Sequence, residues 1–170
     1  MISITVDDHG VQAALHRLNL ATADMTPAMA NVGNIIETHV LLRFQDSTDP
    51  WGKPWQGLSQ GAILSRLRRR KGSFKKDGKI SAKGQGIAMG GFQPLLDTGR
   101  LRGSITTVVA PRGVAVGTNV KYAATHQFGR GGIPARPFLP LRNGRADLPA
   151  PLQAEITDTI GNHLMRALGK

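Results

Sequence analysis

The chain has 170 residues, 22 Lys and Arg against 11 Asp and Glu, a net charge of +11 and no cysteine. That length suits one domain with a real core. The missing cysteines exclude disulfides, thiol chemistry and the common structural zinc sites. The charge points to nucleic acid, or a partner already holding it. No apolar run is long enough to cross a bilayer. MISITVDDHG has neither the basic start nor the apolar stretch of a signal peptide, so synthesis inside the cell is expected.

Ile2, Ile4 and Val6 alternate with Ser3 and Thr5, which predicts a short half-buried strand. Asp7 or Asp8 can then cap a helix whose apolar side is Val11, Ala14, Leu15 and Leu18. Thr26-Pro27 starts a second helix, because proline at the first helical position gives up an N–H that would have had no partner. Met29, Val32, Ile36 and Val40 carry it to about Gln45, and Ile35, Leu42 and Phe44 widen its apolar stripe, so contacts on more than one side are expected.

DSTDPWGKPWQGLS, residues 46–59, holds both tryptophans between prolines and glycines and reads as a structured turn. Trp51 and Trp55 are read first as a local cap over the preceding helix and second as anchors at a protein interface, where tryptophan is enriched. Ala62, Ile63, Leu64 and Leu67 allow one or two helical turns.

The run RLRRRKGSFKKDGKISAK, Arg66–Lys83, follows. It carries nine of the 22 cations, Arg66, Arg68, Arg69, Arg70, Lys71, Lys75, Lys76, Lys79 and Lys83, and one acid, Asp77. With the glycine-rich stretch up to Pro94, it reads as a basic loop insertion over 66–94, mobile when free. Such a loop meets a polyanion or an acidic protein face, or it serves solubility alone.

Order returns at Leu95. Asp97 or Thr98 caps a short helical turn, and Ser104–Ala110, the turn Pro111-Arg112-Gly113 and Val114–Gly117 form the clearest β-hairpin. Lys121–Phe128 is a short helix stopped by Gly129. Pro134, Pro137 and Pro140 make residues 129–144 loop and extended chain, with Arg136–Leu139 as a candidate edge strand. Leu152, Ile156, Ile160, Leu164 and Leu168 define a last helix from about Ala150.

His9, His16, His39, His126 and His163 form no metal-binding pair, and Asp7 and Asp8 beside His9 are more simply caps. Asp97 and His126 could approach across the fold as a base and its orienter, but no nucleophile accompanies them. Gly84, Gly86, Gly90 and Gly91 lack the Gly-Lys-Ser/Thr of a phosphate loop. No zinc finger or zipper is present, and 5% aromatic content argues against base stacking along a single strand. A DNA contact by the basic run would therefore go to phosphates, without sequence preference.

Three segments together, DPWGKPWQGLS at 49–59, LLDTGRLRGSI at 95–105, and VGTNVKYAATHQFG with IPARPFLPL within 116–141, resemble the phage virion morphogenesis (tail completion) family. That family includes the tail completion protein S of P2-like phages and the G protein of phage Mu. The resemblance covers essentially the whole chain.

It implies an α+β fold with long N-terminal helices, a small antiparallel sheet and a C-terminal helix packed on it. It also implies one tail-completion domain over 1–170, carrying the insertion at 66–94. The implied role is structural, with no enzymatic activity and no cofactor or metal. The protein would complete the head-proximal end of a phage tail and join it to the neck or connector, as a six-fold ring around the DNA channel. Expected partners are copies of the chain, the neighbouring neck, tail terminator or tail tube proteins, and packaged DNA through its phosphates. No membrane partner is expected. The expected place is the head–tail junction of the virion, assembled in the host bacterial cytoplasm.

The nine cations named above are the expected DNA-channel or acidic-partner contacts. Trp51, Trp55, Phe128, Arg136, Pro137 and Phe138 are the expected subunit or partner interface. A stand-alone, non-specific nucleic-acid binder using the basic loop is the alternative, and a hydrolase a remote third.

Overall fold

The computed structural model describes residues 9–169. The strand expected at Ile2–Val6 and the cap expected at Asp7 or Asp8 lie outside them. The chain is α+β, with helices α1 (His9–Ala23), α2 (Thr26–Asp46), α3 (Gln60–Arg68), α4 (Ala82–Met89), α5 (Ala123–Phe128) and α6 (Ala150–Ala167). A hairpin of β1 (Ile105–Ala110) and β2 (Gly113–Thr118) and a two-residue ribbon of β3 (Leu141–Arg142) and β4 (Arg145–Ala146) complete it.

The chain divides into two compact units. One holds residues up to His39, Thr106–Gly117 and the chain from Leu148 on; the other holds Val40–Ile105 and Thr118–Asp147. In the first unit, Asp24 Oδ1 accepts from the Thr26 N–H at 2.9 Å and starts α2. Ala28, Val32 and Leu152 are buried. Gly33 lets α2 approach the hairpin, since a Cβ there would stand 2.6 Å from Thr107 Cγ2 and 2.9 Å from Val114 Cγ2. Thr107 Oγ1 donates to Glu37 Oε2 at 2.5 Å beside that approach. Helix α6 packs along α1. Yet α1 buries no residue, and Val11 and Leu15, expected on its core side, are 61% and 59% exposed.

The second unit is built around aromatic rings. Phe44, from the last turns of α2, meets Trp55 edge-on at 5.9 Å and Phe138 at 5.2 Å. The turn between α2 and α3 is tied by Asp49, whose Oδ1 accepts from the N–H groups of Trp51 and Lys53 at 2.9 and 2.8 Å. Gly52 supplies the positive φ, 88°, that the turn needs. Trp55 therefore caps the end of α2, the first of the two readings above.

The basic run is more ordered than a self-repelling loop. Ser59 caps α3, which extends to Arg68, and Leu67 is fully buried. Phe74 and Ile80 then pair across a turn in which Lys75 N–H donates to Lys79 O at 2.8 Å. Asp77 Oδ1 accepts from the Lys79 N–H at 3.0 Å, and Gly78 takes φ 81°. Ser81 caps α4. Gly84 is needed there, because a Cβ would stand 2.2 Å from the Ser73 carbonyl oxygen. Residues 66–94 are thus an arm made of the end of α3, a tight turn and α4. Apolar anchoring at Leu67, Phe74 and Ile80 overcomes the charge repulsion.

The edge strand expected at Arg136–Leu139 is not formed. The segment has no regular structure: Arg136 N–H donates to the backbone oxygen of His126 at 2.6 Å, and the peptide groups after it bond largely to side chains instead of a ladder. Gln127 Oε1 accepts from the N–H groups of Phe138 and Leu139, each at 3.0 Å, and its Nε2 donates to Leu139 O at 2.9 Å. Trp55 Nε1 donates to Pro137 O at 2.8 Å. One buried amide thus stands in for a neighbouring strand. The ribbon that does form follows at Asn143-Gly144, where positive φ at both residues gives the turn that a two-residue hairpin prefers.

Candidate functional site

Chemistry-bearing residues of the second unit concentrate around Asp97. Its carboxylate pairs with Arg69 and lies 3.7 Å from Arg66 Nε. Arg66 is only 9% exposed and donates from Nη1 to Gln93 O at 2.8 Å. The ring of Phe92 serves two guanidiniums, Arg66 at 5.8 Å and Arg70 at 5.7 Å from its centroid. A depression of about 570 Å³ opens beside this cluster, lined by Arg66, Arg69, Arg70, Lys71, Lys83 and Asp97 together with Thr98 and Ile87. Five of the nine expected contact cations are therefore brought to one place, against one carboxylate. Arg68, Lys75, Lys76 and Lys79 are exposed elsewhere on the arm.

Helix geometry reinforces the cluster. Arg66 and Arg68 occupy the last turn of α3, where unpaired carbonyls carry partial negative charge. Arg66 differs from the other eight in being buried. Burial and the nearby Arg69 and Arg70 push its pKa down, while Asp97 pulls it back up.

The residues expected at an interface separate into two groups. Trp55, Phe138 and Arg136 are 7%, 0% and 5% exposed and belong to the unit's own core. Phe128 is 55% exposed, and Trp51 and Pro137 are half-buried. Trp51 is covered by the Arg142 guanidinium at 4.6 Å, a partner that the sequence spacing does not suggest.

A groove on the same unit is lined by Leu58, Arg66, Asp97, Tyr122, His126 and Arg136, among others. Asp97 and His126 thus border one groove, but Asp97 is engaged by arginines. The imidazole of His126 stands edge-on to Tyr122, with ring centroids 5.8 Å apart. Burial first, and the charge of Arg136 second, hold the His126 pKa below its ordinary value. Both effects favour the neutral imidazole.

An assembly of helices, a small antiparallel sheet and a basic arm, with its clefts lined by arginine, has the character of a structural or binding module. The model of the phage virion morphogenesis family matches residues 6–165, and this chain belongs to that family. It is also 33% identical over 148 residues to Mu-like prophage FluMu G protein 2 of Haemophilus influenzae, covering 82% of this chain and 83% of that protein. No solved structure matches. The family is one of virion structure and assembly, and that is the class of role this chain has.

Proposed function

We propose that this protein completes the head-proximal end of a phage tail and joins it to the neck, as a ring of copies around the DNA channel. The observation that carries this reading is the extent of the family match, residues 6–165 of a 170-residue chain. The relative in Haemophilus influenzae, a Mu-like prophage G protein, supports a place in a tailed particle.

Physical features fit a subunit that needs neighbours. Helix α1 has 15 residues, none buried. A helix of that length is marginal in water by itself. Val11, Leu15 and Leu20, each about 60% exposed, are covered by the next copy in this reading. The exposed cations of the arm would meet DNA phosphates in the channel or an acidic face of the ring above or below.

Symmetry-averaged electron microscopy of virions tests this directly. A ring at the head–tail junction containing this chain is the expected result, and particles lacking the chain should accumulate tails and full heads that fail to join. Mature virions from which the chain is absent would sink the reading. The basic depression also favours a second reading, a non-specific nucleic-acid binder. Its affinity for duplex DNA would fall on the order of a thousandfold between low and moderate salt if six phosphates are contacted. Negligible binding at low salt would remove it.

A further inference from the structure

A second groove of the same unit, about 580 Å³, is floored by Arg66, Arg136 and His126 and walled by Leu58, Ile133 and Pro134. Its floor is unbalanced in charge. Arg136, at 5% exposure, donates from Nε to Gln56 O and from Nη2 to Gly57 O, each at 2.8 Å. Among the described residues it meets only backbone carbonyls and has no carboxylate partner, and Nη1 makes no hydrogen bond. Arg66 shares its one carboxylate, Asp97, with Arg69. His126 adds a buried Nδ1 with no hydrogen-bond partner.

A buried guanidinium without an anion is expensive, because desolvation is not repaid by pairing. Burial first, and the charge of Arg66 second, lower the Arg136 pKa. Both remain charged, since arginine does not deprotonate in proteins. The floor is therefore arranged to receive negative charge from outside, with Nη1 of Arg136 already free to donate.

We propose that this groove binds a carboxylate side chain from a short acidic segment of a neighbouring virion protein, flanked by apolar residues that rest on Leu58, Ile133 and Pro134. The proposal rests on the assembly role above and names the chemistry of one partner. Charge complementarity favours a peptide, and the recess selects it over duplex DNA. Both arginines are nine-tenths buried, so the anion must reach in on a flexible side chain, whereas duplex phosphates lie on a broad cylinder. Guanidinium and carboxylate also match as a two-point hydrogen-bonded pair.

The test is a nuclear magnetic resonance titration of the full chain, following the Arg136 Nε–H and the His126 ring. The probe is an acetylated peptide Leu-Pro-Glu-Leu-Pro, taken into the millimolar range, with its Gln counterpart and a short duplex DNA as controls. Saturable shifts of both groups by the Glu peptide are expected, with the Gln peptide at least about tenfold weaker. Arg136→Lys should weaken binding by a similar factor. Because Arg136 is a core residue, Ile133→Glu is the second variant. Ile133 is 42% exposed, and a carboxylate there should abolish peptide binding without changing the melting temperature.

Equal binding of the Gln peptide, or no shift with either peptide, overturns the proposal. DNA that moves these resonances at lower concentration than the peptide overturns it in favour of phosphate. A change in self-association of Ile133→Glu overturns it in favour of a second copy. Failure here with the chain still present at the junction leaves the assembly role intact. Peptide binding by a chain that virions lack removes that role alone.

Discussion

Replacing Gln127 by leucine tests whether one side-chain amide holds the second unit's segment at residues 138 and 139. The substitution keeps roughly the same volume but deletes three hydrogen bonds, two accepted from Phe138 and Leu139 N–H at 3.0 Å and one donated to Leu139 O at 2.9 Å. Gln127 is 3% exposed and Phe138 fully buried, so water has little access to the stranded groups. An unsatisfied buried polar group costs about 1–3 kcal/mol; Leu139 O keeps its bond from Leu141 N–H at 2.8 Å, and the half-exposed Leu139 N–H falls at the low end, giving about 2–4 kcal/mol in all. Burying apolar leucine in place of an amide returns roughly 1 kcal/mol. The net loss should be about 1–3 kcal/mol, a fall in melting temperature on the order of 2–12 °C for a chain of this size.

Urea unfolding followed by tryptophan emission is the assay, because Trp55 donates to the same segment at Pro137 O. The midpoint should move with the slope unchanged. A loss below about 0.5 kcal/mol would falsify the surrogate-strand account, since that is the range of an ordinary surface change. Gln127→Glu sharpens the result. Its carboxylate keeps both accepted bonds but faces the Leu139 carbonyl without a proton to donate. Its deficit should therefore shrink as pH falls and the carboxyl becomes protonated.

Three further outcomes are expected. Gly84→Ala drives a Cβ against the Ser73 carbonyl, at 2.2 Å before relaxation, so the arm should open at a cost of about 1–3 kcal/mol; trypsin should then cut faster at Lys75, Lys76 and Lys79, and unchanged protection would refute the packing. Asp97→Asn removes the carboxylate shared by Arg66 and Arg69, which should cost about 1–2 kcal/mol and raise heparin affinity at low salt; a melt and a column elution profile check both. The His126 pKa is lowered in the folded chain, so the unfolded state takes up the proton first. The contribution of neutral His126 is complete above about pH 6.5 and lost as pH falls below it, and His126→Gln should flatten that part of the stability–pH curve. An unchanged curve would place the acid sensitivity elsewhere.

Much of this architecture can be read in the residues. Helix α2 and helix α6 follow from apolar spacing, the β1–β2 hairpin from two β-rich runs around Pro111-Arg112-Gly113, and the end of α5 from Gly129. The arm is harder to read because nine cations dominate residues 66–83. Its ordering signals are small and local: Ser59 and Ser81 as caps, Asp77-Gly78 as a turn, Phe74 and Ile80 as the pair that closes it. Asn143-Gly144 is a hairpin signal hidden among three prolines and flanked by strands of only two residues. No strand forms at Arg136–Leu139 because most of its partners are side chains, and periodicity does not register side-chain partners. Arg69, Arg70, Lys71 and Lys83 are visible as charge, whereas their meeting at Asp97 depends on contacts across 28 residues of chain for Arg69.

The Gln127 clamp also bears on how such a chain can diversify. Gln127 pins residues 138 and 139, and Arg136 N–H donates to His126 O at 2.6 Å, so the two ends of the intervening loop are fixed to α5. At its apex, Gly131 and Gly132 have no atom within 4 Å of where a Cβ would stand. Insertions there would leave the pinned ends undisturbed, whereas a side chain on either glycine would strain its positive φ, 55° and 81°. Lineages could reshape the Ile133–Pro134 wall to suit a changed neighbour while keeping the arginine floor, so drift in one particle component could be matched without refolding the other.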